Sequence, residues 1–292
     1  MNKVALAIAR GKWAIELTTG LNLYPRAHML LTGQTEGFYG FPEDKEPEPT
    51  AHIIDASGMV PFTSGNDVQS SAIGMLTIKG ALVKESDPMC DVVGTMEMAQ
   101  QVKDMAAAGV SALVVNIDSP GGQVDGTATL ADAIKNLDIP TVAVVNDGMA
   151  CSAGYWIASA ADSIYCTHAT SEVGSIGVYA TLADFSDYYK EMGVRVEDIY
   201  AEQSTEKNGG YRAWKAGDAE PFRARLNTTA DAFIETVKAH RAGKLNTEAG
   251  NPFTGAVFGA NEAQAIGLID GIKAFDDVVA DLQTEKLTFS IK

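Results

Sequence analysis

The sequence predicts an α/β protein built on a parallel sheet. Three observations carry that prediction: short, almost wholly apolar runs such as ALVV and TVAVV, helical-period segments between them, and glycine-rich turns where the runs end. Strands that are apolar throughout are buried on both faces, and the intervening helices supply the two covers. With 292 residues, 46% of them hydrophobic, the chain can bury one large domain and still carry an extension.

Taken in order, residues 1–37 have apolar groups without a period and read as an N-terminal extension. Residues 38–71 read as an acidic, proline-containing linker. FPEDKEPEPT sets three prolines among four acids, and the polar run TSGNDVQSS follows. Prolines remove backbone donors and clustered charges resist collapse, so a domain boundary is expected near residue 70. From there AIGMLTIKGALV (72–83) predicts a strand, and DVVGTMEMAQQVKDMAAAG (91–109) a helix with a glycine C-cap. SALVVNIDSPGG (111–122) predicts a strand with a tight turn, 126–137 a helix and 141–147 a buried strand. Then follow a helix over 151–162 and a strand over 163–167. LADFSDYYKEMG predicts an amphipathic helix, VRVEDIYA (194–201) a strand, and 218–244 a long helix. GANEAQAIGLIDGI (259–272) predicts a short helix, a glycine break and a last strand. The main domain is expected over 72–280, with a tail over 281–292.

Charge and composition exclude several functions. Thirty-eight acids against 22 bases leave 16 net negative charges, which repel phosphate backbones and anionic lipid surfaces. Nucleic acid is therefore not an expected partner. Cys90, Cys151 and Cys166 form no CxxC pair and the four histidines no HExxH, so neither a disulfide framework, a metal site nor a cofactor is expected. No run of 18 apolar residues is present, so no membrane anchor is expected. MNKVALAIARGKWAIEL begins like an export signal, but Arg10, Lys12 and Glu16 interrupt it. A cytoplasmic location follows as the expectation.

Ligands of parallel sheets sit beyond the carboxyl ends of the strands, and two of these ends are unusual. In Asp118-Ser119-Pro120-Gly121-Gly122, paired glycines present bare N–H groups, which suit either an oxyanion hole or a plain tight turn. In Asn146-Asp147-Gly148-Met149-Ala150-Cys151-Ser152-Ala153-Gly154-Tyr155, a strand runs through small residues into a helix. Ser152 then stands at the helix start, where an N-cap or a nucleophile fits. Cys151 is the rival nucleophile. A serine hydroxyl needs a base. His168 has no orienting acid next to it in sequence, which suits a structural histidine better. A lysine can serve if its proton is lost near neutrality. Lys207, in a polar loop after a predicted strand, Lys215 and Lys190 all qualify by position, and spacing does not choose between Lys207 and Lys215.

IDSPGGQVDG, ACSAGYWIASAAD and SEVGSIGVYA, in that order, resemble the signal peptide peptidase A family of serine peptidases, and within it the phage branch that matures capsids. The similarity covers about residues 72–280. It implies the fold of the caseinolytic protease and crotonase superfamily, a spiral of β–β–α units. It also implies a Ser–Lys dyad. Aligning through Gly154-Tyr155 puts the nucleophile on Ser152, with Cys151 where alanine is common and Ala153 where glycine is usual. Ser204-Thr205-Glu206-Lys207 resembles the family's lysine loop with Thr205 in place of glycine, which points to Lys207. The intact Gly174–Val178 motif implies that Ser175 orients that lysine. Gly121, Gly122 and Ala153 are the implied oxyanion donors.

The resemblance further implies polypeptide substrates, scaffold and capsid proteins if the chain is phage-encoded, with action inside an assembling prohead. It implies a homo-oligomer, in some members with the site completed across subunits. The extension then reads as a docking segment, a propeptide or a plain arm. Three other readings are kept: a non-catalytic capsid or scaffold component of the same fold, a cytoplasmic peptidase degrading signal-peptide-like fragments, and a crotonase-type acyl-CoA enzyme. The last should carry a cationic cluster for nucleotide phosphates, and none is evident.

Overall fold

The structure, a computed structural model, describes residues 13–15, 50–65, 68–86, 93–182 and 184–284. At its centre lie three parallel strands, β4 (Ile73–Lys79), β5 (Ala112–Ser119) and β7 (Thr141–Cys151). The sheet extends on one side through β2 (Ala51–Asp55) and β3 (Gly58–Pro61). On the other it continues through β9 (Glu172–Gly174) and β10 (Val257–Gly259). β8 (Ser163–Cys166) pairs with the first half of β7 and β9 with its last three residues, so β7 splits the sheet. β11 (Gly271–Ile272) pairs with β8. Apart from this sheet, β1 (Trp13–Ile15) pairs antiparallel with β6 (Gly121–Gln123). The expected α/β class with a largely parallel sheet is the one observed.

Both faces of the central strands are apolar because both are covered. Ile73, Met75, Ala112, Val114, Val142 and Val144 face α8 (Phe275–Gln283), which contributes Val278 and Leu282. The alternate residues Leu76, Ile78, Leu113, Val115, Ala143 and Val145 face the larger core. That core holds α1 (Thr95–Ala107), α2 (Thr127–Lys135) and α3 (Ala153–Ser159). The period of two assigns each side chain to one cover or the other.

α6 (Glu220–His240) and α7 (Ala260–Ile266) hold α3 from behind. Trp156 stacks on Phe233 with ring centroids 4.5 Å apart, and Tyr155 donates its hydroxyl proton to the Leu268 carbonyl at 2.7 Å. Just past α6, Arg241 is buried. Its guanidinium donates to the Gly267 carbonyl at 3.1 and 2.8 Å and to Asp270 at 2.7 Å.

Two sequence expectations need correction. Residues 51–61, expected within the linker, form the β2–β3 hairpin and join the sheet on β4. The alternation in AHIID buries Ala51 and Ile53, and the Asp55 carboxylate accepts from both the N–H and the hydroxyl of Ser57 to shape the turn. The proline-rich flank hid this pattern; that flank, 38–49, lies outside the described residues, as do most of the extension, Cys90 and the tail from 285. VRVEDIYA alternates like a strand but forms none. Val194, Val196 and Ile199 are exposed, and among the described residues no strand pairs with it.

Candidate active site

β7 ends at Cys151 and α3 begins at Ala153, so Ser152 alone makes the turn from strand to helix. It does so at φ 54° and ψ −118°, a strained conformation for a residue with a Cβ. Two backbone bonds fix it: its N–H donates to the Gly174 carbonyl at 2.7 Å, and its carbonyl accepts from Trp156 at 2.9 Å. Its side chain makes no cap to the helix, which removes the plain N-cap reading. The hydroxyl instead donates a long bond, 3.5 Å, to the Gly177 carbonyl in the loop after β9. Strand, strained serine and helix together form a sharp turn at the carboxyl end of β7, of the kind that can present a side chain for chemistry.

The glycine turn lies beside it. Ser119 pairs in register with Ala150, and a Cβ on Gly154 would come 3.1 Å from the Ser119 carbonyl. Within the turn, Gly121 has φ 100° and its N–H donates to the Ser119 hydroxyl at 3.2 Å. Leu82 holds the next residues, donating to the Gly121 carbonyl and accepting from the Gln123 N–H, both at 2.9 Å. Strand alternation therefore turns the N–H and carbonyl of Gly122 to the opposite edge. A Cβ on Gly122 would lie 2.0 Å from the Leu82 carbonyl, so only glycine fits. Ala153 opens α3, where its N–H has no acceptor within the helix. Of the three sequence-derived donors, Ala153 has no acceptor within its helix, Gly121 is engaged by the Ser119 hydroxyl, and the Gly122 N–H lies on the edge that pairs with β1.

Ser175 follows β9 at φ 52°, half-buried, with its N–H on the Ala256 carbonyl at 2.7 Å. Gly174, at φ 111°, could carry no Cβ, which would meet that same carbonyl at 2.9 Å. These two positions place the GSIG loop over Ser152.

The lysines lie elsewhere. Beyond residue 178 the chain leaves the core in an arm that holds α4 (Ser186–Glu191) and α5 (Gly209–Lys215), neither with a buried residue. Lys207 is exposed on it, just before α5, and among the described residues no hydrogen bond joins it to Ser152. Lys215 bonds to Asp184 and Ser186, each at 2.5 Å, and the Asp184 bond raises its pKa while holding Asp184 down at about 2. A lysine kept charged in this way is unsuited to take a proton. Lys190 is exposed on α4 and lines a cleft of about 500 Å³ together with Asp184, Tyr189 and Tyr211.

The rival nucleophile Cys151 is buried, as is Cys166, whose thiol burial pushes up to about 12; neither forms a disulfide. His168 is a surface residue. It does have an acid that the sequence order concealed, Asp147, 3.7 Å away, and it also contacts the Thr167 hydroxyl at 3.0 Å, but Ser152 is not among its partners. Sequence reasoning also missed Leu82 and the Ser119 hydroxyl, which fix the glycine turn from a distance. The one signal for them was the need for glycine at 122.

These features define a class: an α/β protein that presents a strained serine at a strand-to-helix turn, beside a glycine turn. The family follows from comparison. The model of peptidase family S49 matches residues 133–288, more than half of the chain, and the protein belongs to that family. It is 28% identical over 218 residues to the capsid assembly protease C of Escherichia phage lambda, covering 72% of this chain and 48% of that protein. It is also 28% identical over 222 residues to the head-tail preconnector protein GP5 of Enterobacteria phage P21, covering 73% and 43%. A putative signal peptide peptidase SppA of Enterococcus faecium is 28% identical over 195 residues, 63% and 53% of the two chains. The chain thus spans about half the length of these relatives. Among solved structures, a mutant form of the 1510-N membrane-bound stomatin-specific protease matches with TM-score 0.45 at 13% identity, over 75% of this chain and 87% of that one. No helix among the described residues is long and apolar enough to cross a membrane.

Proposed function

We propose that the chain is a serine endopeptidase whose nucleophile is Ser152 and whose base is Lys207. One observation carries the reading: a buried serine, 1% exposed, is held at φ 54° on a strand-to-helix turn while its side chain stays out of the helix cap. Strain of this kind is kept where the surrounding structure fixes it, and the proposed oxyanion donors are the N–H groups of Gly122 and Ala153. Neutral Lys207 takes the Ser152 proton as Oγ adds to the scissile carbonyl, and the Gly122 and Ala153 N–H groups receive the negative oxygen. The lysine returns its proton to the leaving amine as the C–N bond breaks. Water, deprotonated by the same amine, then displaces Ser152 and releases the acid. Ser175 orients the lysine.

Lys207 reaches Ser152 from a neighbouring subunit. The arm that carries it exposes Phe185, Tyr188, Tyr189, Met192, Val196 and Ile199, the last 89% exposed. Exposed apolar side chains gathered on one arm fit a protein interface. A second copy of the chain fits, because each copy then supplies an arm and receives one, as in a ring of head-to-tail contacts. Scaffold and capsid proteins are the proposed substrates, cleaved within the assembling prohead; the phage relatives support that choice. The test is treatment of the assembled protein with a fluorophosphonate. Labelling of Ser152, lost in Lys207→Ala, is expected. Failure of Ser152 to label would leave a non-catalytic component of the same fold.

A further inference from the structure

The outer edge of β6 carries a strand from the chain's own amino-terminal region. Trp13, Ala14 and Ile15 pair antiparallel with Gln123, Gly122 and Gly121 respectively. Because Leu82 occupies the other edge through the Gly121 carbonyl and the Gln123 N–H, the groups that face β1 are the N–H and carbonyl of Gly122. Ala14 is therefore the residue that exchanges both ladder bonds with Gly122. Its carbonyl takes the same Gly122 N–H that the catalytic reading assigns to the oxyanion. An extended chain that adds to a free strand edge is also how peptides are commonly received.

We infer that Trp13–Ile15 is an inhibitory strand: it fills the edge on which a polypeptide substrate docks, and the Ala14 carbonyl blocks an oxyanion donor until substrate displaces it. The inference rests on the proposed peptidase activity and adds its control. It also identifies what the edge selects, an extended backbone, with β6 supplying main-chain bonds and little side-chain discrimination from its two glycines. Nothing in the pairing calls for cleavage of the strand itself. Displacement suffices, so the inhibition is reversible and competes with substrate.

The test uses the full-length chain as wild type, Ala14→Pro and Ala14→Val. Proline removes the N–H that Ala14 gives to Gly122, whereas valine keeps it and favours the strand. The rate of Ser152 labelling by a fluorophosphonate is expected to rise about tenfold in Ala14→Pro, the factor set by a strand that leaves the edge open one-tenth of the time, and to stay low in Ala14→Val. A synthetic peptide of residues 10–18 should slow the proline variant again, and the same peptide with proline at position 14 should not. Equal labelling rates in all three proteins would overturn the inference. Hydrogen exchange at the Gly122 amide separates this failure from failure of the catalytic reading. If no protein labels, the peptidase assignment falls. The strand is then judged on exchange alone: faster exchange in Ala14→Pro upholds the pairing, and equal exchange removes it.

Discussion

The two halves of the proposed dyad sit in opposite physical settings. Every residue of α3, which follows Ser152, is buried, while α4 and α5, which flank Lys207 on the arm, bury none. The serine is over-determined: Gly174 and Trp156 hold its backbone, and α6 and α7 hold the helix behind it. Among the described residues, the lysine is held in a local turn, in which its N–H donates to the Ser204 carbonyl at 3.0 Å. A nucleophile needs an immobile frame and can be built inside one chain. A base arriving on an arm requires a second surface to desolvate it, and the arm's exposed apolar residues are suited to one.

The sharpest way to break this comparison is on the serine side. Ser152→Ala should lower the kcat for casein hydrolysis by at least about 10⁴-fold, with the circular dichroism spectrum unchanged. On the lysine side, Lys207→Ala should lose activity on the same scale, whereas Lys215→Ala should retain at least about a tenth. The Lys215–Asp184 pair predicts this directly. Asp184 is depressed and ionised down to about pH 2, and Lys215 is raised, so the pair stays charged through neutrality and comes apart only in strong acid or strong base. Retained activity in Lys207→Ala with its loss in Lys215→Ala would move the base to Lys215.

Gly122→Ala tests the donor that both the mechanism and the inhibitory strand require. Its methyl would press on the Leu82 carbonyl, and the displaced N–H should cost about 10²–10³-fold in kcat. A smaller effect on activity is expected from Ile199→Asp, about tenfold, appearing as weaker association in sedimentation velocity before any loss of the folded subunit. Arg241→Ala probes the frame alone. Removing one partner of this buried pair should cost about 3–5 kcal/mol in urea unfolding. Burial pushes the Asp270 carboxyl up, but hydrogen bonds and charge from Arg241 and Lys244 more than reverse this and leave it below the ordinary range. Its contribution is therefore complete above about pH 4 and is lost as pH falls further, a step that Asp270→Asn should remove.

Much of the frame was legible in the sequence because the code for it is local. ALVV and TVAVV announce strands buried on two faces, and the order of elements gives the α/β class. The turn at Ser152 was legible in part: a small-residue stretch between strand and helix marked the place, but only the resemblance through Gly154-Tyr155 separated Ser152 from Cys151. The hairpin at 51–61 was obscured by prolines and acids just before it, although the Asp55–Ser57 turn follows ordinary rules. The strand expected over 194–201 shows the limit of periodicity. Alternation reports which residues want burial, not which surface supplies it, and among the described residues these stay exposed. The state of Gly121 was invisible for a similar reason, since its N–H is taken by a hydroxyl whose direction depends on the Gly80 carbonyl across the sheet, 2.7 Å from it. The Asp147–His168 contact likewise joins residues 21 positions apart.

Subunit complementation tests the account most directly. Ser152→Ala and Lys207→Ala, each inactive alone, are mixed in equal amounts, dissociated and reassembled. If Lys207 serves the neighbour's Ser152, about a quarter of the sites in a head-to-tail ring regain both groups, and casein hydrolysis should return to about a quarter of the wild-type rate. If the mixture assembles and stays as inactive as its components, the dyad is not shared between subunits and the proposed site is wrong.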